Sequence, residues 1–364
     1  MESGEGDLVI MKRILAGLAL AAMSAGPAHA ETTGLQAVKS FLVAQVVKVD
    51  AAAHDYEANA AAYQKMIDAA GGDYNQAALA NGSALTSLVA RMQGDYLNLH
   101  MNGYETVEGI AAGVKDLVEF DIYFDSGVPL SQASTDNPAA PVTLKTPDGR
   151  VIIDRNGNLF HYVIEACLYG AERKFVKPLN AGASAKLHGI GALPRADVLS
   201  ASAKDCAREA DKFLAASKRW QPTLDQCVGA LVWMTPTFNG YFNDLEESLY
   251  GDNPFAYISE SRVKDMRGIM GSLRLVYNAI DPTLRKKDPA LAGQLKSEYE
   301  KIMAFIDESD RRDQKMRAAH RKLSKLEIEE MGNQAKTMSD QLAPQLKQAA
   351  AILGLKLPPK PILV

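Results

Sequence analysis

Apolar residues recur at three- and four-residue intervals through most of this 364-residue chain. That periodicity constrains it to pack helix against helix. Val38, Leu42, Val43, Val46 and Val47 open the pattern, and an Ala-rich run carries it to Ile67. The spacing predicts a helix over 36–70, ended by Gly71, Gly72 and Asp73. A second is expected over about 74–101, stopped by Asn102 and Gly103, and a third over about 105–117. Residues 121–140, rich in Asp, Ser and Pro, read as a loop. Further helices are expected over about 160–169, 198–218, 222–234, 260–279 and 288–308. A strongly charged helix follows from about 307 to 348, its mixed charges suiting a solvated face. Pro236 should kink or end its own helix. Only 142–153 alternates with period two, and Pro147, Asp148 and Gly149 supply a tight turn there, so a β-hairpin is predicted. The expected fold class is all-α: two antiparallel helical bundles with this short hairpin inserted. A Gly/Ala/Pro-containing connector over 178–200 places the boundary between a first bundle, 31–190, and a second, 191–364.

The N-terminus reads as an export signal. Met11 looks like the true start; Lys12 and Arg13 precede an apolar Ala/Leu-rich stretch that ends at Ala28-His29-Ala30. A small-residue cleavage site of that form predicts removal of residues 1–30 and a mature chain starting at Glu31 in the periplasm. No later segment offers about 18 uninterrupted apolar residues, so no transmembrane segment is expected. A formal net charge of −4 gives no whole-chain case for nucleic acid. The charge is uneven, however. Between Asp95 and Asp125 stand Asp95, Glu105, Glu108, Asp116, Glu119, Asp121 and Asp125 against Lys115 alone. Such a run is either a solvated acidic face or a cation site, because hard cations take several carboxylate oxygens. The three cysteines, Cys167, Cys206 and Cys227, have no zinc-type spacing. Cys206 and Cys227 could pair in an exported chain, leaving Cys167 free and buried.

His161 and Glu165 are the most informative pair. They stand four apart in an otherwise apolar helical run, hence on one face. An imidazole and a carboxylate on a buried face must hold each other, a metal or a ligand. Two readings follow. In one, His161 and Glu165 bind a metal with Glu105, Glu108 and Asp125, and oxygen-rich ligands plus imidazole suit iron better than copper(I) or zinc. In the other, His161, Tyr162 and Glu165 form an internal hydrogen-bond network. Aromatic residues (Tyr96, Tyr104, Tyr123, Phe124, Tyr162, Tyr169) could instead line a cleft for a sugar or peptide. HExxH and GxSxG are both absent, which argues against a peptidase.

Three stretches resemble the imelysin family, also called imelysin-like or insulin-cleaving membrane protease proteins. The first is Val49 to Lys65, similar to the family's opening helix. The second is Phe160-His-Tyr-Val-Ile-Glu-Ala-Cys-Leu-Tyr-Gly170, similar to its Gly-x-His-x-x-Glu signature. The third combines Ser259 to Asp265, Gly271, Val276-Tyr277 and Lys286 to Leu291. Counted back from Gly170, Glu165 falls on the family's glutamate and Tyr162 on its histidine, with His161 one residue earlier. Either the helix is rotated to present His161, or the histidine role is lost and Tyr162 donates its hydroxyl to Glu165. The resemblance implies an exported double helical bundle acting as a binding component of iron acquisition. It implies an inner-membrane permease or a haem peroxidase as partner; a polysaccharide- or peptide-binding protein and a residual metallopeptidase are the alternatives. Tyr162, Tyr104, Ser259 and Asp265 are the ligand-binding candidates, although Ser259 and Asp265 are also spaced as helix caps.

Overall fold

The computed structural model describes residues 27–134, 138–140, 142–146, 149–154, 157–250 and 262–360, with side chains from residue 33 onward. The fold is all-α, with two short antiparallel strand pairs. Helix α1 (Pro27–Ala69) and helix α2 (Tyr74–Leu99) form an antiparallel pair about the expected break. Gly71 and Gly72 take positive φ there, and the Asp73 carboxylate accepts from the amides of Asn75 and Gln76. After α2 come α3 (Glu105–Ala111), α4 (Val118–Asp121), the hairpin β1 (Thr143–Lys145) and β2 (Val151–Asp154), and α5 (Ala166–Leu168). Strands β3 (Val176–Pro178) and β4 (Ala192–Pro194) flank α6 (Ala181–Lys186). The rest is α7 (Ala196–Arg219), α8 (Leu224–Met234), α9 (Gly240–Tyr250), α10 (Arg262–Lys287), α11 (Pro289–Ala318) and α12 (Lys325–Leu353). Of the expected export segment, residues 1–26 lie outside the described residues, and Pro27–Ala30 begin α1. None of the described helices is long and apolar enough to cross a membrane.

Several expectations need correction. Asn102 and Gly103 do not stop α2. The chain runs on through a π-helical turn, His100–Tyr104, directly into α3. Residues 121–140 are not all loop: Phe120 and Phe124 are buried, and their burial winds 118–126 into α4 and a second π-helical turn, Ile122–Ser126. A third π-helical turn, Phe160–Glu165, replaces most of the helix expected over 160–169. The charged helix of 307–348 is really two. The chain turns after Ala318, with His320 at φ 54°, and Ser324 starts α12 through a reciprocal cap with Glu327. Pro236 behaves as expected, since α8 ends at Met234 and a 3-10 turn, Thr235–Asn239, follows. The hairpin forms where predicted, although Pro147 and Asp148 of its turn lie outside the described residues. Cys206 and Cys227 do not pair; all three thiols are free and buried. Cys206 sits on α7, which packs along α1, whereas Cys227 sits on α8, which packs on α10.

One apolar core runs through both halves of the chain. Helix α7 follows the boundary expected near 190 yet packs along α1. Helix α10 joins the halves, packing on α1 and α3 from one side and on α8, α9 and α11 from the other. Two glycines let α10 and α3 approach backbone to backbone. A Cβ on Gly268 would lie 2.7 Å from the Glu105 carbonyl oxygen, and one on Gly109 would lie 2.9 Å from that of Ile269. That approach sets Asp265 of α10 beside Glu105 of α3. Gly268→Ala must therefore separate the two helices. It is expected to destabilise the protein by about 1–3 kcal/mol in urea unfolding, despite alanine's better helix propensity. A variant as stable as wild type would show that the contact is not tight.

Candidate metal centre

The three π-helical turns converge on one buried place. The first carries His100 and leads into Glu105, the second carries Asp125, and the third carries His161 and Glu165. Wide i→i+5 turns often mark functional positions, because they tilt side chains off the ordinary helical face. Glu108 follows on α3, Asp121 ends α4, and Asp265 comes from α10. His100, Glu105, Glu108, Asp121, Asp125, His161, Glu165 and Asp265 are each no more than 5 % exposed. Around them stand Tyr96, Tyr104, Phe124 and Phe160, all fully buried. The Phe124 and Phe160 rings stack at 5.1 Å, and Tyr96 stacks on His100 at 5.4 Å. Six carboxylates thus sit in an aromatic-walled interior with one guanidinium, that of Arg262.

Asp125 is the hub. Its Oδ1 lies 2.8 Å from His161 Nε2 and 3.2 Å from His100 Nε2. The other nitrogen of His161, Nδ1, lies 2.7 Å from Glu165 Oε2. Glu165 therefore fixes the ring and reaches the shared space through it, as carboxylates behind metal-binding histidines do. Asn158 aligns the two turns: its side-chain amide donates to the Asp125 carbonyl, and its Oδ1 accepts from the His161 amide at 2.9 Å. Tyr104 donates to Asp121 Oδ1 at 2.6 Å. Arg262 donates to Asp265 Oδ2 at 3.0 Å and lies 4.5 Å above the Tyr241 ring.

Other polar atoms have no such partners among the described residues. Neither oxygen of Glu105 has a donor, nor has Oε2 of Glu108, Oδ1 of Asp265 or Nδ1 of His100 an evident partner. His100 Nε2 comes within 2.7 Å of Glu105 Oε1 without hydrogen-bond geometry. Buried acceptors left bare cost roughly 1–3 kcal/mol each, more when charged, so this arrangement calls for a positive group. The donors form three compact sets, within each of which the ligand atoms lie within 4.8 Å of one another: His100, Asp125 and His161; His100, Glu105 and Asp265; Glu105, Glu108 and Asp125. Imidazole nitrogen and carboxylate oxygen suit iron or manganese, and the thiols sit elsewhere; Cys167, for one, points at the carbonyl of Phe175. A fourth set, Asp50, His54 and Asp211, is at the surface, where water solvates its carboxylates.

The titration behaviour follows from this crowding. Burial, then Asp265 and Asp125, hold the Glu105 carboxyl well above its ordinary range. Burial and Glu105 do the same to Glu108. Burial and Asp125 raise Asp121 to about 7. Asp265 is raised by burial against the pull of Arg262. For His100 and His161, burial alone would favour the neutral ring, but hydrogen bonds to Asp125, and for His161 to Glu165, raise both. Asp125 goes the other way: burial would raise it, yet the two imidazoles hold it well below the carboxylate range.

The sequence-derived candidates are placed as follows. Glu105, Glu108, Asp125, His161 and Glu165 are brought together, and Asp265 joins them. Tyr104 faces them through Asp121, but with the ring in the core and not in a cleft. Tyr162 turns away: its ring covers Gly157 and its hydroxyl donates to Gln132, not to Glu165 as the hydrogen-bond reading has it. Ser259 lies outside the described residues. Sequence reasoning passed over His100, Asn158 and Arg262, and took Asp121 only as one of the acidic run. His100 carries a usable signal, since it precedes Glu105 by five and Glu108 by eight in one apolar stretch. No protein-family model and no curated protein matches this chain.

Every raised group here binds its proton more tightly in the folded state. Each contributes stability that is complete below its unfolded pKa and lost as pH rises through its folded one. Asp125 acts oppositely, but its window lies below about pH 4. The melting temperature of the metal-free protein should therefore fall between about pH 5 and about pH 8. Asp121→Asn should flatten that fall near neutrality. A melting temperature that rises over the same interval would contradict the assignment.

Proposed function

We propose that this chain is an exported, imelysin-like metal-binding protein that takes up iron in the buried cluster and serves in iron acquisition. The observation that carries this reading is the set of bare carboxylate oxygens on Glu105, Glu108 and Asp265 beside two oriented imidazoles. Most buried acceptors in folded proteins have a donor, so several bare oxygens gathered in one place call for a positive group. A bound cation would supply the missing positive charge, and carboxylate with imidazole matches iron in donor type. His100, Glu105, Glu108, Asp125, His161 and Asp265 would hold it, with Glu165 and Asn158 orienting His161 and Asp125. Periplasmic placement rests on the signal-like N-terminus. An inner-membrane permease or a haem peroxidase is the partner this role implies. The sugar- or peptide-binding alternative finds less support, because Tyr96, Tyr104 and Phe124, three of the aromatics expected in a cleft, are core residues.

Protein purified without chelator should contain iron by elemental analysis. After its removal the protein should bind Fe(II) anaerobically by calorimetry, with a higher melting temperature when loaded. Glu105→Gln, with an unchanged circular-dichroism spectrum, is expected to weaken binding by about 100-fold or more. Wild-type protein that binds neither Fe(II) nor another first-row cation would reduce the cluster to a structural feature and end this reading.

A further inference from the structure

We propose that the cluster is built for two divalent cations bridged by the Asp125 carboxylate; this rests on the metal-binding reading above and adds a stoichiometry to it. Donors around one ion, each about 2.0–2.2 Å from it, stand at most about 4.4 Å apart. Side chains that serve a single ion should therefore all fall within one compact set. Here they do not. His161 joins His100 and Asp125, while Glu108 joins Glu105 and Asp125, and among the described residues no set contains both His161 and Glu108. These two sets share only Asp125, whose two oxygens let it bridge. The third set, His100, Glu105 and Asp265, links one centre to the other along the second edge.

The donors also divide by chemistry. One centre has the two imidazoles. His161 presents Nε2 because Glu165 occupies Nδ1, so the ring is turned toward Asp125. The other centre has only oxygens, from Glu105, Glu108 and Asp125, and three of those oxygens lack a well-formed hydrogen bond among the described residues: both of Glu105 and Oε2 of Glu108. Charge points the same way. Among the described residues six buried carboxylates face one guanidinium, and a single divalent ion would leave most of that excess in an interior that cannot solvate it. Two divalent ions, at the roughly 3.5–4 Å spacing of carboxylate-bridged pairs, come close to balance. Carboxylate oxygens suit hard cations such as Mn(II), and the imidazoles of the other centre suit Fe(II) as well.

Manganese(II) is the convenient probe, being stable in air-free buffer and visible by electron paramagnetic resonance. Metal-free protein carrying His54→Ala, which removes the surface set of Asp50, His54 and Asp211, is saturated with Mn(II) and dialysed. Two ions per chain are expected, with the isolated six-line spectrum replaced by that of an exchange-coupled pair. Glu108→Gln, checked for fold by circular dichroism, should retain one ion and recover the six-line spectrum. One ion per chain with a six-line spectrum in the protein with an intact cluster would overturn the paired site and leave metal binding standing. Failure to bind Mn(II) or Fe(II) at all would remove both.

Discussion

Carboxylates that share a dry interior repel one another, and everything around them here is arranged to hold them there. Glu105, Glu108, Asp121, Asp125, Glu165 and Asp265 are buried within a wall of aromatic rings. In the metal-free state protons and the Arg262 guanidinium relieve part of the repulsion. The rest is borne by the fold. Helix α10 is pressed onto α3 at Gly268 and Gly109, so Asp265 cannot retreat from Glu105. Asn158 locks Asp125 and His161 together through one side-chain amide. An arrangement that spends stability on like charges is the usual mark of a site and not of a core.

Helical periodicity is a strong signal, and most of this fold was legible in it. The break at Gly71–Asp73, the hairpin and the stop at Pro236 all rest on local chemistry that a single sequence displays. The wide turns were not legible. Periodicity assumes one constant rise and rotation, and each π-helical turn changes both by one residue. Asn102 and Gly103 therefore look like a stop signal although the backbone continues, and 121–126 looks like loop although Phe124 is buried. The turn at His320 was missed for a different reason. Charged residues on both sides keep the helical pattern of 307–348 continuous, and only the Ser324–Glu327 cap marks the new start.

The same limitation explains which site residues could be found. His161 and Glu165 stand out because they interrupt an apolar run, and the acidic stretch from Asp95 to Asp125 stands out by composition. Within that stretch composition does not tell which acids turn inward. Asp116 binds Gln226 near the surface and Asp95 holds Asn59, while Glu105, Glu108, Asp121 and Asp125 are buried. The difference is set by where each lies: Asp95 on the outer part of α2, Asp116 in the turn after α3, and the buried four on elements packed against the core. His100 and Arg262 belong to the site only through tertiary packing, of α10 onto α3 and onto the His100–Tyr104 turn.

A π-helical turn takes up one more residue per turn. The turn at Phe160–Glu165 sets His161 within reach of both Glu165 and Asp125 and carries Tyr162 out over Gly157. The wide turn thus places the imidazole, and not the Tyr162 phenol, in the space shared with the carboxylates.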